Sequence, residues 1–193
     1  MKKAQTVFLW IILFAVNAHD GNAQNHVTPG IGPTQTKQQP SLRETLQWLK
    51  EAFADHGSYR WEGNDHSTNI LDKQPVSFDG CTISWIETKV TALTGGRTSG
   101  ITSRYLDTVP LAEISPTSIR AQTSPYASLG DPGSILGLTT LAGKKSIKSK
   151  DLSDGEIRFF EGTMIWFDNQ DIAERIAKAI TYASNVCRRS QPF

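Results

Sequence analysis

Residues 163–187 read TMIWFDNQDIAERIAKAITYASNVC, and this stretch decides the fold. Its first five residues are apolar or β-branched, which is typical of a strand. Asn169 or Asp168 then caps a helix, and Asp171 places a carboxylate in the first turn, where the helix dipole favours negative charge. Apolar residues recur at helical spacing beyond this point and predict one buried helix face, formed by Ile172, Ile176, Ala179, Ile180, Ala183 and Cys187.

A second amphipathic helix is predicted at the start of the domain. Ser41 and Glu44 form the S-x-x-E capping box, in which each side chain takes a free amide of the first turn. A stripe of apolar residues follows at helical spacing, namely Leu42, Leu46, Leu49 and Phe53. Gly57 is expected to end this helix in the left-handed conformation that helix ends favour.

Between the helices the apolar residues alternate, which predicts strands. The predicted strands are Tyr59–Trp61, Gly80–Val90, Ile101–Leu111, Ser118–Gln122, Ile135–Leu141, Ile157–Phe160 and Thr163–Phe167. Tight or long turns are expected at residues 94–97 and 124–133, and the last two strands should form a hairpin around Glu161 and Gly162. The sequence therefore predicts an α+β domain, in which an N-terminal helix, a bent antiparallel sheet of about seven strands and a C-terminal capping helix follow one another.

The first 23 residues predict a secretory signal peptide. Met1, Lys2 and Lys3 give a positive start, and Val7–Val16 is an unbroken apolar run. A membrane-spanning helix needs about 20 apolar residues, so this run fits a cleaved signal better. Cleavage is expected after Ala18 or Ala23, and Ala23 is favoured because it leaves more polar chain before the cut. The alternative, a buried N-terminal helix, conflicts with the polar, proline-containing tract that follows.

The rest of the chain divides around one domain. Residues 24–40 are rich in Gln, Thr, Gly and Pro and predict a disordered tether, residues 41–189 predict a single α+β domain, and residues 190–193 are a tail. The chain has 20 Lys and Arg and 19 Asp and Glu. Loss of residues 1–23 removes two Lys and one Asp and leaves 18 of each sign. A chain without basic excess is not expected to hold nucleic acid by charge, and no membrane span is expected after signal removal.

Cys81 and Cys187 are the two cysteines of the chain. In the oxidising space outside the cytoplasm an even number favours a disulfide over two buried thiols, the alternative. Both are predicted to point inward, Cys81 beside Ile83 and Trp85 on a strand and Cys187 on the helix stripe. The bond would therefore join the last helix to the sheet. Two Cys without a nearby His do not have the spacing of a zinc site.

Three segments together resemble a known architecture. They are VPLAEISPTSIRAQ (109–122), ILGLTTLAGKKSI (135–147) and MIWFDNQDIAERIAKAITYASNVC (164–187). Their order resembles the pleckstrin-homology-like barrel, a bent sheet of seven strands plugged by a C-terminal helix. More narrowly, PSLRETLQWLKEAF (40–53) with AERIAKAITYASNVC (173–187) is similar to a group of secreted bacterial proteins of unknown function. The resemblance covers about residues 40–189 and implies no catalytic residues and no cofactor.

One basic segment is a candidate anion-binding site, formed by Lys144, Lys145, Lys148 and Lys150. In pleckstrin-like domains basic loops hold phosphorylated lipid headgroups, but an exported protein would not meet the cytosolic ones. The alternative is that these lysines coat one solvated strand face and protect a sheet edge from pairing.

Other residues point less directly to chemistry. Asp55–His56 and Asp65–His66 are adjacent pairs that would need to meet between loops to hold a metal, and His26 lies in the tether. Carboxylates surround the last predicted hairpin, where solvation is the ordinary role, at Asp151, Asp154, Glu156 and Glu161. Three tryptophans would form either a stacking groove or part of the core, namely Trp61, Trp85 and Trp166. No catalytic or metal residue is assigned, since the nucleophile motif G-x-S-x-G is absent.

The sequence favours an exported binding or structural module of the periplasm or cell surface, without catalytic activity and without a cofactor. A protein or peptide partner would use the open end of the barrel or an exposed sheet edge. Two alternatives remain open, a small secreted hydrolase with an unrecognised site and an envelope assembly or stress partner. The oligomeric state is not predicted.

Overall fold

A computed structural model describes residues 39–62, 67–93, 100–124 and 133–190. The predicted signal peptide, nearly all of the tether, the turn at 94–97 and most of the turn at 124–133 lie outside these ranges, as do His26, Asp65 and His66. Among the described residues no helix has the length and hydropathy needed to cross a membrane.

The first helix, α1 (Leu42–His56), begins as predicted. The Ser41 hydroxyl accepts from the Glu44 amide at 3.2 Å, and the Glu44 carboxylate accepts from the Ser41 amide at 2.7 Å. Gly57 ends the helix but is right-handed, with φ −77°, so the expected left-handed ending is wrong. Glycine is needed there for another reason, because a Cβ would meet the Phe53 carbonyl and lie 2.9 Å from the Lys73 Cβ.

Nine strands follow in the described ranges, all paired antiparallel. They are β1 (Tyr59–Glu62), β2 (Ser67–Asp79), β3 (Thr82–Leu93), β4 (Ile101–Pro110), β5 (Arg120–Thr123), β6 (Ser134–Thr139), β7 (Ile147–Asp151), β8 (Ile157–Phe160) and β9 (Gly162–Phe167). One sheet has the order β1-β2-β3-β4-β7-β8, and a second has the order β5-β6-β9. Single helical turns occupy Leu111–Glu113, Pro116–Ser118 and Leu141–Gly143. The α+β class is confirmed, but the predicted barrel is wrong because the sheets do not close on themselves.

The strand predictions fail in three places. β2 is not among the predicted strands because Lys73 and Pro75 interrupt its apolar pattern. β7 is absent from the predicted strands too, although the alternative interpretation of its lysines did place them on a solvated strand face. The expected β8–β9 hairpin does not form, since β8 pairs with β7 and β9 pairs with β6. Glu161 between them is where the chain passes from one sheet to the other.

The last helix, α2 (Gln170–Arg189), begins at Asn169, whose side chain accepts from the Ile172 amide at 3.2 Å. It shares one apolar core with α1 and both sheets. The ring of Phe53 lies within 5.1 to 5.4 Å of the rings of Phe78, Phe167 and Trp85, measured between centroids. A core of this kind is the main stabilising term of the domain.

Cys81 and Cys187 form a disulfide with a Cα–Cα distance of 5.5 Å, in agreement with the predicted pair. Cys187 is fully buried on α2, as expected. Cys81 lies in the turn before β3, not within the strand, and is half-buried. The bond therefore joins the C-terminal end of α2 to the β2–β3 turn.

Candidate functional site

The inner face of the six-stranded sheet, which we define as the face that carries Ile83 and Trp85, changes character along β3. Ile83 and Trp85 are buried in the core. Two residues further on, the same face carries Glu87, which stands opposite Lys73 on β2 and Tyr105 on β4. Because side chains alternate between the two faces of a strand, these charged side chains lie on the same face of the sheet as the core residues.

These polar side chains border a cavity of about 310 Å³, which we call the sheet cavity. Its lining comes from β3, β4, β7 and β8 and from the start of β9, and it consists of Glu87, Tyr105, Asp107, Ile147, Ser149, Asp151, Glu156, Arg158, Phe160, Gly162 and Thr163. The volume lies at the lower end of the range typical for small-molecule sites. Phe160 and Ile147, which are paired in the β7–β8 register, supply its apolar part.

Lys73 is the most buried charged residue next to the sheet cavity, with 2 % exposure. Its Nζ lies 3.5 Å from the Glu87 Oε2 and donates to the Trp166 carbonyl at 3.3 Å. Burial lowers the pKa of Lys73, and the charge of Glu87 opposes this change. The ion pair therefore stands at the boundary between the core and the sheet cavity, where removal of either partner would leave a costly charge.

Asp107 is the least compensated carboxylate of the sheet cavity. Burial raises the pKa of Asp107 to about 6, against a lowering hydrogen bond from Ser149. The nearby charge of Glu87 raises it further, and Lys73 lowers it. Within the described ranges no cation lies at ion-pair distance from Asp107, since the three ion pairs there join other residues.

The remaining charges are arranged along the rim. Arg158 donates twice to the Glu156 carboxylate, at 2.9 and 2.6 Å. The Ser153 hydroxyl and amide hold the pKa of Asp151 below its ordinary value. Four carboxylates and one guanidinium line the sheet cavity, and Lys73 lies behind it, so carboxylates outnumber cations by two. This excess of negative charge favours a cationic guest.

The sheet cavity has a limited chemical repertoire. Its lining contains no His, Cys or Lys. In the part of the chain that the structure describes, no three His, Cys, Asp or Glu side chains are grouped so as to hold a metal. Binding through carboxylates, hydroxyls and the apolar part of the lining is what this arrangement can do most directly.

The predicted anion site lies elsewhere. Lys144 and Lys145 are exposed after the turn that precedes β7. Lys148 and Lys150 alternate with Ile147 and Ser149 on β7, so they occupy the opposite, outer face of the sheet. The suggestion that they protect a sheet edge is wrong, because β7 lies between β4 and β8.

The other predicted residues do not gather into a site. His56 contacts Asp168 at 3.0 Å at the end of α1 and does not line the sheet cavity. Trp85 is a core residue, while Trp61 and Trp166 stack with their ring centroids 5.7 Å apart. Asp151 and Glu156, expected to be merely solvated, do line the sheet cavity.

Besides the sheet cavity, the β8 strand is unusual, since all four of its residues are exposed. It ends the six-stranded sheet, and no described strand pairs with its far side. Ile157 is 46 % exposed, Phe159 53 % and Phe160 43 %. Isolated exposed apolar residues are ordinary, but a contiguous group on an open strand indicates a binding surface.

Sequence reasoning missed three charged residues in or behind the sheet cavity, namely the buried Lys73 and the half-buried Glu87 and Asp107. The signal was available for two of them, because Glu87 continues the alternation of Ile83 and Trp85, and Asp107 that of Val109. A charged residue at an inward strand position is uncommon and points to a partner or a ligand. Lys73 lies in the strand that was not predicted.

No protein-family model matches the chain, and no curated protein or solved structure matches it.

Proposed function

We propose that the protein is an exported, non-enzymatic binding module whose sheet cavity takes a small organic cation with an apolar body. The observation that carries the proposal is Asp107, a half-buried carboxylate that faces the sheet cavity and has no cation at ion-pair distance among the described residues. Burial of a charge costs free energy unless the charge is paired. An ammonium or guanidinium group of a ligand would pair with the Asp107 carboxylate and offset that cost.

The lining sets the shape of the ligand. Phe160 and Ile147 offer apolar contact. Asp107 and Asp151 offer carboxylate oxygens, while the hydroxyl of Ser149 already donates to Asp107. An amine or guanidinium on an aromatic or short aliphatic body fits both requirements, and an anion of the same shape does not.

Export is part of the proposal and rests on the N-terminal sequence and on the disulfide. Disulfides persist mainly outside the cytoplasm, so Cys81–Cys187 is compatible with that location. The resemblance to secreted pleckstrin-like bacterial proteins belongs to the same proposal and adds no ligand.

The test uses three probes of one shape, namely benzylamine, benzyl alcohol and benzoate, added to the isotope-labelled protein at pH 7.5. Benzylamine should shift the backbone amide resonances of Asp107 and Ser149 in a saturable manner, and benzoate should not. The variant Asp107→Asn should weaken benzylamine binding at least about tenfold, as expected when a charge-assisted hydrogen bond is lost. Asp55→Asn, an exposed carboxylate on α1, is the matched control and should bind normally.

The same titration at pH 5 provides a second control. Asp107 is surrounded by Lys73 from β2, Glu87 from β3, Asp151 from β7 and Arg158 with Glu156 from the β8 side. Since its pKa is about 6, Asp107 is largely neutral at pH 5, and benzylamine should bind more weakly there. Equal binding of benzoate and benzylamine, or an unaffected Asp107→Asn variant, would overturn the proposal.

A hydrolase is the second candidate, and the raised pKa of Asp107 is what favours it. A carboxyl whose pKa is raised to about 6, next to the second carboxyl of Glu87, is an arrangement that enzymes use as a pair of acid and base. Release of 4-nitrophenol from 4-nitrophenyl esters or glycosides that disappears in both Asp107→Asn and Glu87→Gln would establish this activity in place of simple binding.

A further inference from the structure

The ladder between β7 and β8 determines where the backbone of β8 points. The Asp151 amide donates to the Glu156 carbonyl at 2.9 Å, which makes 151 and 156 a hydrogen-bonded pair. Antiparallel ladders alternate, so Arg158 and Phe160 also direct their amides and carbonyls at β7. Ile157 and Phe159 therefore direct theirs away from the sheet, along the open edge.

Apart from its shortness, this edge has little in the described residues by which proteins usually protect an open strand. Edges are normally blocked by proline, by charged side chains or by a covering segment. β8 contains no proline, and its single charged residue, Arg158, is engaged with Glu156 on the inner face. At its end the Glu161 carbonyl accepts from the Thr140 amide, so the open part is limited to Ile157 and Phe159.

The outer face beside this edge is basic. Lys148 stands opposite Phe159 and Lys150 opposite Ile157 in the β7–β8 register. Neither lysine takes part in an ion pair with any residue of the described ranges. A strand added at β8 would lie about 10 Å from β7, two strand spacings away. A lysine and a glutamate side chain together span that distance, with the lysine stems lying over the two apolar residues.

We propose that β8 binds an extended acidic segment of a partner protein, which adds as a further strand and places alternate carboxylates beside Lys148 and Lys150. Main-chain hydrogen bonds to Ile157 and Phe159 would supply affinity, and the charge pattern would supply selectivity. This surface is on the opposite face of the sheet from the sheet cavity. The strand-addition proposal is therefore independent of the proposal that the sheet cavity binds a small cation.

The experiment measures fluorescence anisotropy of two labelled peptides, Thr-Glu and Thr-Lys alternating nonapeptides, at low salt with the purified protein. The Thr-Glu peptide should bind at least tenfold more tightly than the Thr-Lys peptide, and added salt should weaken it. Lys148→Glu with Lys150→Glu should abolish this preference. Lys50→Glu, an exposed lysine on α1, is the matched control and should leave the preference unchanged.

A backbone variant tests strand addition separately from charge. Phe159→Pro removes an amide that points along the open edge and leaves the β7 ladder complete, so it should abolish binding while the protein stays folded. Phe159→Ala removes the same side chain but keeps that amide, so it should only weaken binding. Comparison of the two variants separates the loss of the amide from the loss of the ring. Equal affinity for both peptides, binding that survives Phe159→Pro, or no binding to either would overturn the proposal.

The same variants distinguish two other possible occupants of the β8 edge. If the edge pairs with a second copy of the chain, sedimentation will show a dimer that Phe159→Pro converts to a monomer, with no peptide preference. If the lysines contact an anionic membrane, the protein will bind phosphatidylglycerol vesicles regardless of Phe159→Pro. Either result would replace the acidic segment as the occupant.

Discussion

Asp107 shows how one residue can couple stability to binding. The chain holds its carboxyl in a site where burial raises the pKa to about 6 from an ordinary value of 3.8. The folded protein therefore holds the proton more tightly than the unfolded chain does. The contribution of Asp107 to the free energy of unfolding therefore rises as the pH falls from 6 toward 4, and this contribution is lost as the pH rises through the same window.

Asp107→Asn should stabilise the protein at pH 8 and leave it almost unchanged at pH 4. The difference between the two pKa values corresponds to at most about 3 kcal/mol, so we expect a gain on the order of 1–3 kcal/mol in the free energy of unfolding at pH 8. Urea unfolding at both pH values measures it, with Asp55→Asn as the control. A loss of stability at pH 8 would contradict the burial cost assigned to Asp107.

Lys73 and Glu87 belong together energetically. Lys73 has no exposed side-chain surface, and Glu87 keeps 22 % of its own. Loss of the lysine would leave an unpaired carboxylate beside Asp107, while loss of both charges would leave neither partner as an unpaired charge. Loss of one partner is therefore expected to cost more stability than loss of both, even though the ion pair itself adds little net stabilisation.

A double-mutant cycle tests that dependence. Lys73→Met should lower the free energy of unfolding by roughly 1–4 kcal/mol, because Glu87 stays partly buried without its cation. Lys73→Met combined with Glu87→Gln should cost less than the two single changes added together. NMR titration of Lys73→Met should also find the pKa of Asp107 higher, since Lys73 lowers it in the native protein. Additive losses would mean that the pair is not coupled.

Among the elements, α2 depends on contacts at both ends. Asn169 caps its first turn, and at the other end Cys187 bonds to Cys81 while Arg188 donates to the Ile114 carbonyl at 2.8 Å. The buried face between them packs mainly on α1, on the three-stranded sheet and on the helical turn at Leu111–Glu113. Removal of one end should therefore loosen the last turns of α2 before the whole domain unfolds.

The variant Cys81→Ala with Cys187→Ala should cost about 2–5 kcal/mol, because the bond joins residues 106 positions apart. The melting temperature should fall by roughly 5–15 °C, and hydrogen exchange should speed up first in residues 184–189. Non-reducing mass spectrometry of the native protein should find one cross-linked peptide pair. Two free thiols, or an unchanged melting temperature, would contradict the structural role given to the bond.

At the scale of the whole molecule, the two faces of the six-stranded sheet differ in charge. The inner face holds the sheet cavity with its excess of carboxylates, and the outer face at β7 and β8 holds lysines that form no ion pair with any described residue, beside exposed apolar residues. Both regions include β8, since Arg158 and Phe160 border the cavity and Ile157 and Phe159 point outward. The zero net charge predicted for residues 24–193 conceals this separation.

Export makes a prediction for the chain as a whole. Expressed in full length in a bacterium with a secretion pathway, the protein should leave the cytoplasm and lose its first 23 residues, so that intact mass gives a chain beginning at Gln24. A start at His19 would support the cut after Ala18 instead. A full-length protein recovered from the cytoplasm with reduced cysteines would contradict export.

Both helices, their N-terminal caps and the α+β class followed from the sequence, because a capping box and a 3.6-residue stripe are local patterns. Ser41 with Glu44, and Asn169 before Ile172, bond residues only three positions apart. Most strand segments were found for a similar reason, since alternation is visible within one strand. The cysteine pair also followed, because the chain offers a single pairing.

Strand partners and the sheet cavity were decided only by the tertiary structure. Nothing local distinguishes a β8–β9 hairpin from two strands that enter different sheets, since the choice depends on which surfaces need burial elsewhere. Lys73, Glu87 and Asp107 come from three strands and meet because of the register between them. The pKa changes of Lys73 and Asp107 arise from burial, which is a property of the packed fold, so the residues that carry the proposed function became recognisable only once the strands were paired.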